Sequence, residues 1–192
     1  MAWLKAVMFC IGLSMAMTVS AVTSPYPVDP IRQPSKMSCW ATATTMIMNY
    51  GDQSSRPIEV VVALAGPKYV GLYKDSFPPK NRGISPSDEE AFYKALKLSV
   101  IKGLNPTIPG WKKLLDDHGP LSITVDADPG KGFIHALVVT GIEGDGTATG
   151  TIVTYVDPAD GKKYTPKFAD FLKLYEGSAH WPLQIIYYKK PV

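Results

Sequence analysis

The chain has 192 residues, 45% of them hydrophobic and 19% charged, with a formal net charge of +3. That balance calls for a globule with a sizeable core and excludes a disordered or low-complexity chain. The charge is too small to call for nucleic acid or a strongly charged partner, so neither is expected.

Met1 to Ala21 reads as a secretory signal peptide: Lys5 supplies the positive charge, Ala6 to Val19 is mostly apolar, and Val19-Ser20-Ala21 offers small residues for cleavage. About 170 residues then remain, enough for one domain. No stable membrane insertion is expected after cleavage, because the apolar run is too short for a span. A secreted or periplasmic protein is expected. Of the two cysteines, Cys10 leaves with the signal and Cys39 stays as a lone thiol in an oxidising compartment, where cysteines are normally paired. Such a thiol is either a small buried hydrophobe or a reactive group.

Residues 22–38 hold Pro25, Pro27, Pro30 and Pro34 and form an extended lead-in, with a single catalytic domain expected over residues 39–192. Ser38 is expected to cap a helix from Cys39 to Asn49, with Gly51 just past its end. Further helices are predicted over Ile58 to Ala65, over Ser87 to Ser99 with Ser87 and Glu90 as a capping box, and over Trp111 to His118. From Leu121 the pattern changes to strands, over Leu121 to Val125, Phe133 to Ile142, Thr151 to Val156 and Leu183 to Tyr188. Gly144-Asp145-Gly146 reads as a hairpin turn, and Tyr164 to Tyr175 as holding a short amphipathic helix. The expected class is α+β, a helical first half packed against an antiparallel sheet.

A cysteine attacks a carbonyl as the thiolate, which a helix N-terminus and a nearby imidazolium favour. Cys39 has the helix start; the imidazole must come from His118, His135 or His180. His118 stands where a helix C-terminus welcomes partial positive charge, and His180 sits in a loop before the last strand. His135 interrupts the apolar run from Phe133 to Val139, where a polar ring needs a partner. Asp157, at the end of the next strand, can orient it, and is equally suited to begin an Asp-Pro turn. Asp126, Asp128 and Gly130 faintly suggest a calcium loop, but its twelfth position is Leu137 instead of glutamate. No metal or cofactor is expected.

The segment Gln33-Pro34-Ser35-Lys36-Met37-Ser38-Cys39-Trp40-Ala41 resembles the active-site segment of papain-like cysteine proteases. His135-Ala136-Leu137-Val138-Val139-Thr140-Gly141 resembles their histidine strand, and Val156-Asp157-Pro158 resembles the third-member position of secreted bacterial branches, the AvrRpt2-like and C39-like groups. The resemblance implies a papain-like fold and peptide-bond hydrolysis through an acyl-thioester. It implies Cys39 as nucleophile, His135 as general base and acid, Asp157 as the group orienting His135, and Gln33 as an oxyanion donor beside the Cys39 amide. Asp157 departs from the asparagine of plant enzymes, as does the single thiol from their disulfides. A peptide or protein substrate is expected, with a peptidoglycan stem peptide as the alternative, and a monomer. Rival readings are a peptidoglycan amidase, a transglutaminase-type acyl transferase, and an inactive papain-like binding module. The amidase pattern of the NlpC/P60 kind fits poorly, because Cys39 follows serine instead of aspartate.

Overall fold

The computed structural model describes residues 22–23, 26–128, 133–177 and 182–189. The expected signal peptide, Gly130 and His180 lie outside them. The first helix, α1 (Cys39–Gly51), is buried from Trp40 to Met48, as expected of a sequence apolar nearly all round. Two of its three buried threonines reconcile burial with polarity by bonding back along the helix, Thr42 Oγ1 to the Ser38 carbonyl at 3.0 Å and Thr45 Oγ1 to the Ala41 carbonyl at 2.8 Å. Gly51 is the last helical residue, not the residue after the end. Its missing side chain leaves room for the Tyr188 ring, which a Cβ would strike.

The predicted helix from Ile58 forms as α2 (Ile58–Leu64). Gly66, at φ 112°, then redirects the chain into α3 (Pro67–Asp75), a helix the sequence reading missed. The predicted Ser87–Ser99 helix is shorter and starts earlier, as α4 (Pro86–Ala95). Ser85, not Ser87, caps it, accepting from the Asp88 amide at 3.2 Å. Lys97, at φ 59°, ends the helical path, and Ser99 already belongs to a strand. The helix read from Trp111 begins at Ile108, as α5 (Ile108–His118), capped by Thr107. The last helix, α6 (Phe168–Glu176), lies where amphipathic spacing put it.

The strands are β1 (Val22–Thr23), β2 (Ser99–Lys102), β3 (Leu121–Asp128), β4 (Phe133–Gly144), β5 (Thr151–Asp157), β6 (Lys162–Tyr164) and β7 (Gln184–Tyr187). They form one antiparallel sheet in the order β2-β7-β3-β4-β5-β6, with β1 on the end of β4. Residues 145–150 join β4 to β5 in a loop wider than a two-residue turn; Asp145 Oδ1 accepts from the Thr147 amide and hydroxyl at 2.8 Å each. Side chains alternate across the sheet. Ala136, Val138, Val156 and Ile186 pack with α1, α2, α3 and α4, whereas Leu121, Ile123, Leu137, Val139 and Ile185 pack with α5 and α6. A bulge at Thr140 shifts the β4–β5 register, and the Thr140 carbonyl accepts from the Tyr26 amide at 2.7 Å. The proline-rich lead-in is thus held on the sheet, with Val28 buried in the α1 core.

Candidate active site

α1 opens at Cys39 from a tight turn. Ser38 takes the expected N-cap position, but its hydroxyl makes no capping bond: it donates to the Ser35 carbonyl at 3.0 Å and accepts from the Ser35 amide at 3.2 Å. Those bonds fix the turn that delivers the thiol. Trp40 is buried edge-on against Phe92, with centroids 4.9 Å apart, and Ala41 is fully buried, so the start of the helix is clamped while Cys39 is only partly buried.

His135 lies near the beginning of β4 with its side chain 14% exposed. Its Nε2 meets Asp157 Oδ1 at 2.6 Å, so Nδ1 is the nitrogen left for Cys39, which lines the same cleft and raises the pKa of the ring. Burial disfavours the charged ring, but the Asp157 and Cys39 hydrogen bonds and charges outweigh it and raise His135 from 6.5 to about 9. Asp157 Oδ1 also accepts from the Ala159 amide at 2.7 Å. The two roles left open by the sequence, turn former and partner of His135, fall on the same oxygen.

Gln33 reaches this group through its backbone, its amide donating to the Pro158 carbonyl at 2.7 Å. Its Oε1 is buried without a hydrogen-bond partner. Cys39 and His135 line a cleft of about 220 Å³; Gln33 lines an adjoining one of about 550 Å³. The two share Lys36 and Met37. Cys39, His135 and Asp157 therefore form one chain of contacts, with Gln33 strapped to its far end.

Over residues 18–176 the sequence matches the family described as papain-like cysteine protease AvrRpt2. The chain belongs to this family of papain-like cysteine proteases. A crystal structure of a double glycine motif protease from an AMS/PCAT transporter, in complex with the leader peptide, is similar in fold. It covers 86% of this chain and 95% of its own at a TM-score of 0.52 and 17% identity. No curated protein matches the sequence. The α+β papain-like architecture and the hydrolase class follow, and the inactive binding module is set aside.

Elsewhere in the protease, His118 ends α5 and stacks on Tyr187, centroids 3.8 Å apart. Burial pushes its pKa below the ordinary value, and it takes no part in the Cys39 cleft. Among the described residues no group of three or more His, Cys, Asp or Glu could hold a metal ion. The sequence reading missed Glu89, which lines the Cys39 cleft and is 5% exposed. Tyr93 donates to its Oε1 at 2.8 Å and Gln184 Nε2 to its Oε2 at 2.6 Å, the same Nε2 reaching Thr124 Oγ1 at 2.9 Å. Helical spacing held the signal: Glu89, Phe92, Tyr93 and Leu96 share one face, so the carboxyl belongs to the buried stripe.

Proposed function

We propose that this cysteine protease cleaves peptide bonds with Cys39 as nucleophile, His135 as general base and acid, and Asp157 as the orienting carboxylate. The observation that carries the reading is His135 bonded to Asp157 Oδ1 in the cleft that it shares with Cys39. With its pKa raised to about 9, His135 already holds the thiol proton at neutral pH, so Cys39 attacks the scissile carbonyl as the thiolate while Asp157 steadies the imidazolium. The oxyanion is met by the Cys39 amide at the head of α1 and by the Gln33 side chain. Gln33 would donate to the oxyanion through its amide nitrogen Nε2, and its partnerless Oε1 leaves an acceptor for a substrate N–H. Collapse hands the imidazolium proton to the leaving amine and leaves a thioester on Cys39. His135 then draws a proton from water, which attacks the thioester and releases the acid. A peptide substrate is supported by the similar fold solved with a leader peptide, and export to the periplasm or medium by the Met1–Ala21 pattern.

The test is peptide cleavage by the purified protein, read by mass spectrometry. Cys39→Ala is expected to abolish it, and His135→Ala to remove it and to slow Cys39 alkylation by iodoacetamide at mildly acidic pH. Cleavage that survives Cys39→Ala refutes the assignment.

A further inference from the structure

We infer that Arg32 and Lys36 select a carboxylate in the peptide presented to Cys39, either an aspartate or glutamate side chain or the free carboxyl end. The inference rests on reading the Cys39 cleft as the seat of a peptide substrate. Arg32 and Lys36 enclose Gln33, Pro34 and Ser35 in the segment that leads into α1. Both line the cleft of about 550 Å³ that adjoins the one holding Cys39. Lys36 and Met37 belong to both clefts, so the two meet along this segment.

Among the described residues Arg32 and Lys36 make no ion pair and no side-chain hydrogen bond, and no aspartate or glutamate lines their cleft. The carboxylates of neighbouring turns are bonded elsewhere: Asp75 to Lys80, Asp157 to His135, and Asp160 to Tyr164 and Lys162. Arg32 is nevertheless held in place. Gly161 closes the turn that begins at Asp157, its amide donating to the Asp157 carbonyl at 2.8 Å. A Cβ at Gly161 would come within 3.1 Å of the Arg32 Cβ and backbone nitrogen, so the approach depends on the missing side chain. The next residue, Gln33, is tied to the same turn through the Pro158 carbonyl. Pro34, Met37, Pro78 and Ala159 supply apolar walls, and the two cations supply the charge. That combination suits an anionic group on a short apolar stem, which the Arg32 guanidinium can grip through two parallel N–H bonds. The cleft volume of about 550 Å³ falls in the range of about 300–1,000 Å³ that encloses small ligands. An extended peptide advances only about 3.3 Å per residue, so the carboxylate lies within a few positions of the scissile bond. Both cations are exposed, so the attraction is modest and weakens with salt.

The experiment uses the full purified chain and N-acetylated neutral decapeptides of alanine, leucine, serine and glycine. Each carries one aspartate, or asparagine in its place, at a position moved along the chain, and each is made with its carboxyl end free or amidated. Competitive cleavage of each pair is read by mass spectrometry, and binding to Cys39→Ala by calorimetry, which needs no turnover. At low salt, one aspartate position or the free end is expected to gain about three- to tenfold over its neutral counterpart in kcat/KM and in affinity. The gain should fall below about twofold in roughly 0.5 M salt. Which member gains, side chain or chain end, identifies the source of the carboxylate. In the double variant Arg32→Gln, Lys36→Gln the gain should fall to about one, and in Arg32→Glu, Lys36→Glu lysine should replace aspartate as the favoured residue. Equal values for every pair in the unaltered protein overturn the inference even if the variants do not fold, while cleavage of those peptides leaves the hydrolysis standing. A gain that persists in the double glutamine variant overturns the assignment to Arg32 and Lys36. A gain in binding with no peptide cleaved keeps the two cations and overturns the proposed hydrolysis. Neither a gain nor cleavage overturns both.

Discussion

Replacing Asp157 with asparagine separates its two roles, because asparagine keeps a carbonyl oxygen and loses only the charge. That oxygen can still accept from the Ala159 amide, now at 2.7 Å, so the Asp-Pro turn should persist. What changes is the field at His135. The ring stands at about 9 instead of 6.5, a rise equivalent to about 3 kcal/mol at roughly 1.4 kcal/mol per unit. Asp157 and Cys39 share that rise, since both their hydrogen bonds and their charges favour the imidazolium. If Asp157 supplies about half, the variant loses about 1–2 kcal/mol of support for the protonated ring, and kcat/KM should fall roughly tenfold. The basic limb of the kcat/KM profile reports loss of the proton that His135 gives to the leaving amine. It should lie near 9 in the parent protein and move down by about one unit in Asp157→Asn. Peptide hydrolysis measured from pH 5 to 10, with His135 followed by imidazole NMR, checks both. Asp157→Ala is the comparator, because it also takes the acceptor from Ala159 and should cost a further ~1 kcal/mol of stability. An Asp157→Asn protein with kcat/KM within twofold of the parent and an unmoved basic limb would refute the assignment of Asp157 to His135.

Other expectations follow from the same geometry. Gln33→Ala should lower kcat about 100- to 1,000-fold with little change in KM, if its amide meets the oxyanion; steady-state kinetics decide. Cys39→Ala removes one of the two hydrogen bonds that raise His135, so the ring should titrate below about 9 by NMR. The folded-state value of His135 is raised, so its contribution to stability is complete below pH 6.5 and is lost as pH climbs through about 9. Urea midpoints should fall across that window, and less steeply in Cys39→Ala. Gly51→Ala drives a methyl into the Tyr188 ring and should cost about 1–3 kcal/mol by overpacking, seen as a lower Tm with the rate of Cys39 alkylation unchanged.

The parts legible in the sequence were those where residue type and spacing pointed the same way. His135 stood out because an imidazole inside an apolar strand must be partnered, and Asp157 because a strand end one hairpin away is where a partner can come from. The missed elements lack such agreement. α3 carries glycine at position 71 and three lysine or aspartate side chains in nine residues, so its apolar stripe is thin. It is held as a helix by the positive φ of Gly66, by Pro67 and by burial of Tyr69 and Tyr73. β2 was missed and its first residue, Ser99, drawn into the preceding helix because Leu96 and Leu98 look like its continuation; the left-handed Lys97 that separates them leaves no mark on periodicity. β6 is three exposed residues whose only structural reason is the open edge of β5. Glu89 was overlooked because the helix was read through the Ser87 and Glu90 capping box and its apolar residues, with the carboxyl between them left unassigned.

The placement of Cys39 against His135 is a tertiary matter that no local signal contains. Between Val22 and Cys39 the chain is tied to the sheet at three points: β1 on the end of β4, the Tyr26 amide on the Thr140 bulge, and the Gln33 amide on Pro158. Pro25, Pro27, Pro30 and Pro34 lack an amide hydrogen, so the backbone donors of this stretch must come from the residues between them. Tyr26 and Gln33 supply two of them at 2.7 Å each, and the prolines keep the intervening backbone extended enough to span from one to the other. The second tie holds a bulge in β4, the strand that carries His135, and the third grips the turn that carries Asp157. A lead-in that looks like a tether in the sequence is therefore what registers the Cys39 helix against the strands that carry His135 and Asp157. Its last tie lies six residues from the thiol, in the residue proposed to meet the oxyanion.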